Sequence, residues 1–139
     1  MPQHCRRTLR ETAATLLTGL TTTGSRVHQS RIPPRLSSDL PCILIHTESE
    51  HISPATIGNP QDRALEVVVE GYAMVNANLD DTLDQIAYEV EVAMSNDARF
   101  RLRRINVDFD ESLEKPAGVI RLTFEILFFT TAGDPGTFA

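Results

Sequence analysis

An apolar stripe of helical period in residues 79–94 places the strongest constraint on how this chain can fold. Apolar residues recur there at spacings of three and four, and they are Leu79, Leu83, Ile86, Ala87, Val90, Ala93 and Met94. This pattern predicts a helix with one apolar face. Asn78 stands where an N-cap is expected, and Asp80, Asp81 and Asp84 suit the positive end of the helix dipole. Such a helix must bury its stripe against another layer, which the neighbouring segments are expected to supply.

The segments that flank this helix alternate between apolar and polar residues, as strands with one buried face do. In residues 64–75 the predicted inward residues are Leu65, Val67, Val69 and Ala73. In residues 102–109 they are Ile105, Val107 and Phe109, and in residues 119–130 they are Ile120, Leu122, Phe124, Ile126 and Phe128. Residues 42–45 are apolar throughout, which predicts a strand covered on both faces.

The N-terminal segment adds a second helix. Its apolar residues repeat at helical spacing in residues 3–20, and they are Leu9, Ala13, Leu16, Leu17 and Leu20. Val27–Ser30 follows as a short predicted strand. The order along the chain is then helix, short strand, two strands, helix and two strands. We therefore predict a single α+β domain over residues 1–139, with a mixed or antiparallel sheet of about four to five strands and two helices packed on one face.

Two segments are predicted to be irregular. Residues 49–63 contain Pro54, Gly58 and Pro60, so we expect a long loop there. Loops beyond about 12–15 residues in a compact domain usually serve a function, and the isoleucines of this loop would then contact a partner. Residues 131–139 are rich in glycine and proline, and we expect a flexible tail that becomes ordered on binding.

Basic residues are concentrated in the first quarter of the chain. Residues 1–35 hold six arginines and one acid, Glu11, although the whole chain has a net charge of −6. Opposite charges in different parts of a subunit favour association with another copy, and arginine suits paired contacts with carboxylates. We therefore predict an interface formed by Arg6, Arg7, Arg10, Arg31, Arg35, Ile52, Ile57, Asp81, Asp84 and Glu89. The alternative is that these side chains are simply solvated.

The sequence contains no glycine-rich phosphate loop, nucleophile elbow or zinc-protease motif. One cluster is reminiscent of a metal or catalytic site, namely His46, Glu48 and His51, because His46 and Glu48 would share one face of a strand. The cluster lacks a complete ligand set and runs into the predicted loop, so we predict no metal, no cofactor and no catalytic residue. A small metal- or ligand-binding domain, or a hydrolase, that uses these three residues is the alternative from another class.

Further features limit the range of partners. The segment Arg99–Arg104 is a basic cluster, but the chain is acidic overall, so we predict no specific nucleic-acid binding. No apolar run reaches the roughly 18–20 residues of a membrane span, and the N-terminal segment lacks the apolar core of a signal peptide. We therefore expect no membrane partner and synthesis in a cytoplasm.

Cys5 and Cys42 form no disulfide framework, and we expect reduced thiols, with Cys42 in the core.

The order of the segments as a whole resembles a known family. The matching pieces are RRTLRETAATLLTGL, SRVHQSRIPPRLSSDLPCILIHTESE, RALEVVVEGYA, LDDTLDQIAYEVEVAMSND and IRLTFEILFFTTAG, which together span roughly residues 6–131. They resemble the tail-terminator proteins of long-tailed bacteriophages, of the minor tail protein U type. The most telling stretches are Arg31–Glu48 and Leu79–Met94.

The resemblance implies a function without catalysis. Family members have a mixed sheet with two helices, and they form hexameric rings that cap the growing tail tube and offer a docking face for the head. The expected partners are thus other copies of the chain, the tail tube protein and the head–tail connector. The expected location is the virion, assembled in the host cytoplasm. Head–tail joining or neck proteins share related folds, so that role is the alternative among structural proteins.

Overall fold

A computed structural model describes residues 2–32, 37–54, 60–111 and 116–139. Within these residues the chain forms two α-helices and five strands. They are α1 (Cys5–Leu17), β1 (Val27–His28), β2 (Cys42–Pro54), β3 (Pro60–Met74), α2 (Leu79–Met94), β4 (Arg101–Asp110) and β5 (Ala117–Thr131). A 3-10 turn at Ser37–Asp39 precedes β2. Neither helix in the described ranges is long and apolar enough to cross a membrane.

The strands form one mixed sheet in the order β1-β2-β3-β5-β4. β1 runs parallel to β2, and every other neighbouring pair is antiparallel. Both helices pack on the same face of the sheet, with α1 over β1 and β2 and α2 over β3 and β5. The predicted α+β class, with two helices and a mixed sheet of five strands, is confirmed.

The main core lies between the helices and the sheet, and it follows the alternation of the strands. Leu65, Val67 and Val69 of β3 point to the helices and are fully buried. All seven residues of the α2 stripe join this core, as predicted. α1 contributes Cys5, Leu9, Ala13 and Leu17, and it is shorter at both ends than the predicted helix. Asn78 occupies the N-cap position of α2, but its side chain makes no capping hydrogen bond.

A smaller apolar cluster lies on the other face of the sheet. Its buried members are Cys42, Leu44, Tyr72, Ala117 and Val119, and Leu40 packs against them. Because Ile43 and Ile45 point to the helices, the strand predicted at residues 42–45 is covered on both faces, as expected. Both cysteines are free and buried, and burial raises the pKa of the Cys42 thiol to about 12.

The long loop predicted for residues 49–63 is wrong. Its described residues instead extend two neighbouring strands, β2 as far as Pro54 and β3 from Pro60 onwards, and antiparallel pairing joins them. Both prolines stand at strand ends, where the missing N–H removes no hydrogen bond from the interior of the ladder. Ile57, which was expected in this loop, lies outside the described residues.

Residues 131–139, where the sequence predicts a flexible tail, fold back onto the domain. The carbonyl of Pro135 accepts a hydrogen bond from the Cys5 N–H at 2.8 Å. The ring of Phe138 meets that of Phe128 edge to face, at a centroid distance of 5.4 Å. This aromatic contact gives a glycine- and proline-rich segment an apolar anchor that its composition does not reveal.

The strand β4 exists as predicted, but its apolar residues are not buried. Ile105, Val107 and Phe109 are 41, 56 and 61% exposed. The register places them on the helix side of the sheet, opposite helix-facing residues of β5, so the predicted face is correct. They stay in solvent because neither helix packs over the outermost strand. We call these three residues the β4 row.

We expect Gly71→Ala to destabilise the domain, because α2 lies close to the sheet at this residue. A Cβ there would lie 2.5 Å from Cγ2 of Ile86, a β-branched side chain with little rotamer freedom. Overpacking of this kind lowers the free energy of unfolding by about 1–3 kcal/mol, which urea denaturation measures. Gly118→Ala is the matched control, since its Cβ would meet the flexible end of Leu79, at 2.6 Å. Equal losses in the two variants would contradict this account.

Candidate functional site

The sheet face opposite the helices carries a chain of ionisable side chains that crosses the sheet from the edge of β2 to β5. Arg31 Nη1 lies 3.6 Å from Oε1 of Glu48, which lies 2.8 Å from Nε2 of His46. Nδ1 of His46 lies 3.5 Å from Oε1 of Glu70. The other carboxylate oxygen of Glu70 accepts two hydrogen bonds from Arg121, at 2.8 and 3.1 Å. We call these five residues the charge chain.

Strand register explains why these side chains meet. Glu70 of β3 pairs with Arg121 of β5, and Val68, on the same face of β3, pairs with His46 of β2. Glu70 is only 4% exposed, and a buried carboxylate needs a cation beside it to offset its lost hydration. The hydrogen bonds to Glu70 in turn raise the pKa of the Arg121 guanidinium above its ordinary value.

The charge chain lines an open depression of about 650 Å³, together with Glu66, Arg104 and Thr123 among others. Nδ1 of His46 and Oγ1 of Thr123 are buried, and neither has a hydrogen-bond partner in the described part of the chain. Every charged member of the charge chain already lies beside an opposite charge. This arrangement favours a structural ion network over a general base directed at a substrate.

The cluster considered as an alternative metal or catalytic site is only partly brought together. His46 and Glu48 are in contact, but His51 lies further along β2. Its register partner is Ala64, whereas that of His46 is Val68, a separation of roughly 13 Å along β3. Within the described ranges, no group of three or more His, Cys, Asp or Glu side chains is placed to hold a metal ion.

The predicted interface arginines that the structure describes have contacts within the subunit. These are Arg6 with Glu50 at 3.9 Å, Arg7 with Glu11 at 2.9 Å and Arg10 with Gln29 at 3.0 Å. Arg31 belongs to the charge chain. Arg6, Arg7 and Arg31 nevertheless stay exposed, so their contacts leave them accessible to a partner. Arg35 lies outside the described residues, and an interface role for all five arginines stays a prediction.

The predicted acidic and apolar partners of these arginines differ in their surroundings. Asp81 and Asp84 are exposed on α2, and Ile52 is exposed on β2. Glu89 instead binds the segment that follows α1: it accepts hydrogen bonds from the Thr22 N–H at 2.9 Å and from Oγ1 of the same residue at 2.6 Å. Glu89 therefore links α2 to its own subunit, which leaves it less suited to a neighbour than the two aspartates.

A buried ion pair that the sequence patterns did not predict lies at one end of the helix-side core. The side chains of Arg63 and Glu50 are 8 and 5% exposed, and they lie 2.8 Å apart. Nε of Arg63 also donates to Oγ1 of Thr130 at 2.6 Å. Arg63 shares its strand face with Leu65 and Val67, so alternation predicts that it points inward once β3 is extended back to include it.

Each outer edge of the sheet has a backbone group bound by a side chain. Arg31 donates a hydrogen bond to the carbonyl oxygen of Thr47 on β2. On β4, the carboxylate of Asp108 accepts from the Phe109 N–H at 2.8 Å. Charged side chains at strand edges shield backbone groups from pairing with another strand.

Comparison of the chain with protein families found no family model that matches it, and no curated protein matches it either. The family that the order of segments suggests therefore stays an interpretation of the sequence.

We expect Glu89→Gln to weaken the link between α2 and the segment after α1 in a pH-dependent way. Burial tends to raise the pKa of the Glu89 carboxyl, but hydrogen bonds from Thr22 and Gln85 outweigh it, and the pKa lies below its ordinary value. A lowered pKa means that the ionised carboxylate stabilises the fold above the unfolded-state pKa of about 4.3. This stabilisation is lost as the pH falls through the folded-state pKa.

The variant should therefore lower the free energy of unfolding by about 1.5 kcal/mol near neutral pH, and by little near pH ~3. Urea denaturation of both proteins over this pH range measures the difference. Gln85→Ala is the control, because it removes one donor at 2.8 Å and leaves both bonds from Thr22. A deficit of the same size at both ends of the pH range would show that the carboxylate charge is not what stabilises this link.

Proposed function

We propose that this chain is a structural subunit without catalytic activity, and that its copies form a hexameric ring that caps the tail tube of a bacteriophage. In this role the ring ends tail polymerisation and offers the face to which the head docks. The resemblance of the segment order to tail-terminator proteins, over roughly residues 6–131, supports the proposal. Its partners are then other copies of the chain, the tail tube protein and the head–tail connector, within the virion.

The observation that carries the assembly part of this proposal is the β4 row. Large apolar side chains that form a contiguous exposed row indicate a surface that a partner covers. The row lies on an outermost strand of 10 residues, and an edge of that length can pair with another chain once the hydrogen bond from the Phe109 N–H to Asp108 is exchanged. A sheet whose edge row stays uncovered by the described part of the chain fits an assembly better than it fits a solitary domain.

A second exposed apolar surface is separate from the β4 row. Leu127 and Phe129 are exposed near the end of β5, on the face opposite the helices, beside Ala64 of β3. A cap needs contacts with the tube in addition to contacts between subunits. Two apolar surfaces on different faces of one subunit satisfy that requirement.

Head–tail joining is the rival role among structural proteins, and it draws on the same features. It differs in the partner that the protein binds, because a joining protein acts on the head or on a completed tail. The rival from another class is a metal- or ligand-binding domain, or a hydrolase, built on His46, Glu48 and His51.

We expect the purified protein to form rings at the ends of isolated tail tubes in negative-stain electron microscopy. Tail tube protein that polymerises in its presence should give shorter tubes than it gives alone, because a capped end accepts no further subunits. Binding to heads but not to growing tubes would favour the joining role. Tubes that grow to the same length with the protein as without it, and that carry no ring, would rule out the terminator role.

We expect the purified protein to bind no zinc and to show no metal-dependent hydrolysis. His46 and His51 lie far apart along β2, on the sheet face opposite the helices, so they cannot bind the same ion. Calorimetry with zinc and elemental analysis test this, with His46→Gln and His51→Gln together as the comparison and circular dichroism as the check on folding. Zinc that is bound by the parent protein and lost in the double variant would support the rival class.

A further inference from the structure

We propose that neighbouring subunits of the ring join edge to edge, with β4 of one subunit antiparallel to the opposite sheet edge of the next. That opposite edge consists of β1 and of the part of β2 beyond Leu44, where the pairing with β1 ends. Above this strand joint, an acidic flank of α2 faces a basic flank of α1 on the next subunit. The inference rests on the proposed ring and names the surfaces that close it.

The first support for this joint is that the two helices cover only part of the sheet. Strands lie about 4.8 Å apart, so five strands occupy about 24 Å, whereas two helices of about 10 Å each cover about 20 Å. α1 lies over β1 and β2, and α2 lies over β3 and β5, so that Leu102 of β4 still packs against the core but the β4 row stays exposed. When the next subunit follows at this edge, its α1 enters the helix layer beside β4 and covers the β4 row.

Strand direction makes the joint compatible with a ring. β2 is antiparallel to β3, β3 to β5 and β5 to β4, so β4 runs opposite to β2 within each subunit. Rotation about an axis along the strands leaves their direction unchanged, so β4 of one copy meets β2 of the next in an antiparallel sense. The two edges are different surfaces, and such heterologous contacts form a ring when the rotation from one copy to the next closes.

Charges match at the end of the joint near Thr47–Glu50, where the register between β2 and β3 shifts. Residues that pair from strand to strand lie at the same position along the strand direction, which we call their height. By this register Arg104 of β4 lies level with His46 of β2. The basic segment Arg101–Arg104 therefore stands at the height of Glu48 on the opposite edge. Arginine beside a carboxylate at the same height favours this alignment of the two edges.

Charges also match at the other end of the joint, with the signs exchanged. Asp108 of β4 is level with Cys42, at the start of β2. On the opposite edge that height is occupied by Arg26, whose carbonyl accepts a hydrogen bond from the Ile43 N–H at 2.9 Å. The edge of β4 thus carries arginines near Arg104 and an acid at Asp108. The edge that it would meet carries Glu48 together with Arg31 at the first height and Arg26 at the second.

The acidic flank of α2 faces β4. Successive helical residues turn by about 100°, which places Asp80, Asp84 and Glu91 on the side of the helix opposite Glu89. Glu89 contacts Thr22 on the side of α1. The three exposed acids therefore project toward β4, beside the β4 row.

The basic flank of α1 faces the other edge of the subunit. Arg6 contacts Glu50 on β2, and Arg10 contacts Gln29, which directly follows β1. In the proposed joint these two arginines stand opposite the acidic flank of the neighbouring α2. Of the acids predicted to meet arginines, Asp84 lies on this flank, whereas Asp81 does not.

Sedimentation of the full chain tests the helix layer of the joint. Asp84→Arg or Arg10→Glu should each raise the concentration needed for half-assembly by about tenfold, and the two together should restore assembly because the charges are exchanged. Asp81→Arg is the matched control, with the same change on the same helix, away from the joint. Equal weakening by the two aspartate variants, or a double variant as weak as the single ones, would overturn the contact.

A pair of valine variants tests the strand layer. Val107→Asp places a charge in the β4 row and should raise the half-assembly concentration by about thirtyfold. Val92→Asp makes the same change at an exposed position on α2 outside the joint, and it should assemble as the wild type does. Both variants change exposed residues, and circular dichroism checks that they fold. If Val107→Asp assembles normally, β4 is not in the joint.

These outcomes separate the joint from the proposed function. If every variant assembles normally while the wild type forms rings on tail tubes, the joint is wrong and the ring stands. If the wild type forms no ring, either alone or with tubes, both proposals fail.

Discussion

Burial of the α2 stripe against β3 and β5 is the interaction on which the rest of the structure depends. Gly71 lets the helix lie so close to β3 that a Cβ there would be 2.5 Å from Ile86. With α2 placed over these strands, α1 packs beside it over β1 and β2, and β4 falls outside the helix layer. The position of one helix thus decides which apolar residues are buried and which row stays in solvent.

Several charged side chains of this subunit form ion pairs that stabilise its own fold. Glu50 and Glu70 are buried carboxylates, and each has an arginine at 2.8 Å. Removing one member of such a pair leaves the other charge buried without a partner or water. These arginines are therefore needed within their own subunit. The exposed arginines of α1 have weaker local contacts and keep much of their surface. The basic character of the N-terminal quarter is therefore divided between internal pairing and an accessible flank.

Local sequence patterns were enough to predict the two helices, the faces of the strands and the class of the fold, because both periods are visible within about a dozen residues. They were not enough where distant segments decide the outcome. Pro54 and Pro60 indicate a loop locally, but pairing with β3 extends β2 to Pro54, and pairing with β5 extends β3 back to Pro60. Alternation placed the β4 row on the correct face but could not show that no helix covers it. The partner of Glu89 lies 67 residues away, at Thr22, and only the packing of the helices brings them together.

The side chains that bind backbone groups at the two sheet edges have a consequence for the timing of assembly. Arg31 holds the Thr47 carbonyl and Asp108 holds the Phe109 N–H, so an edge-to-edge joint requires an exchange of existing hydrogen bonds. Such an exchange slows the first encounter between free subunits and acts as a nucleation barrier. A tube end that holds several subunits side by side raises their local concentration and overcomes that barrier. Under the proposed joint, the subunit stays dispersed where no tube is present and closes into a ring rapidly once a tube end presents it to its neighbours.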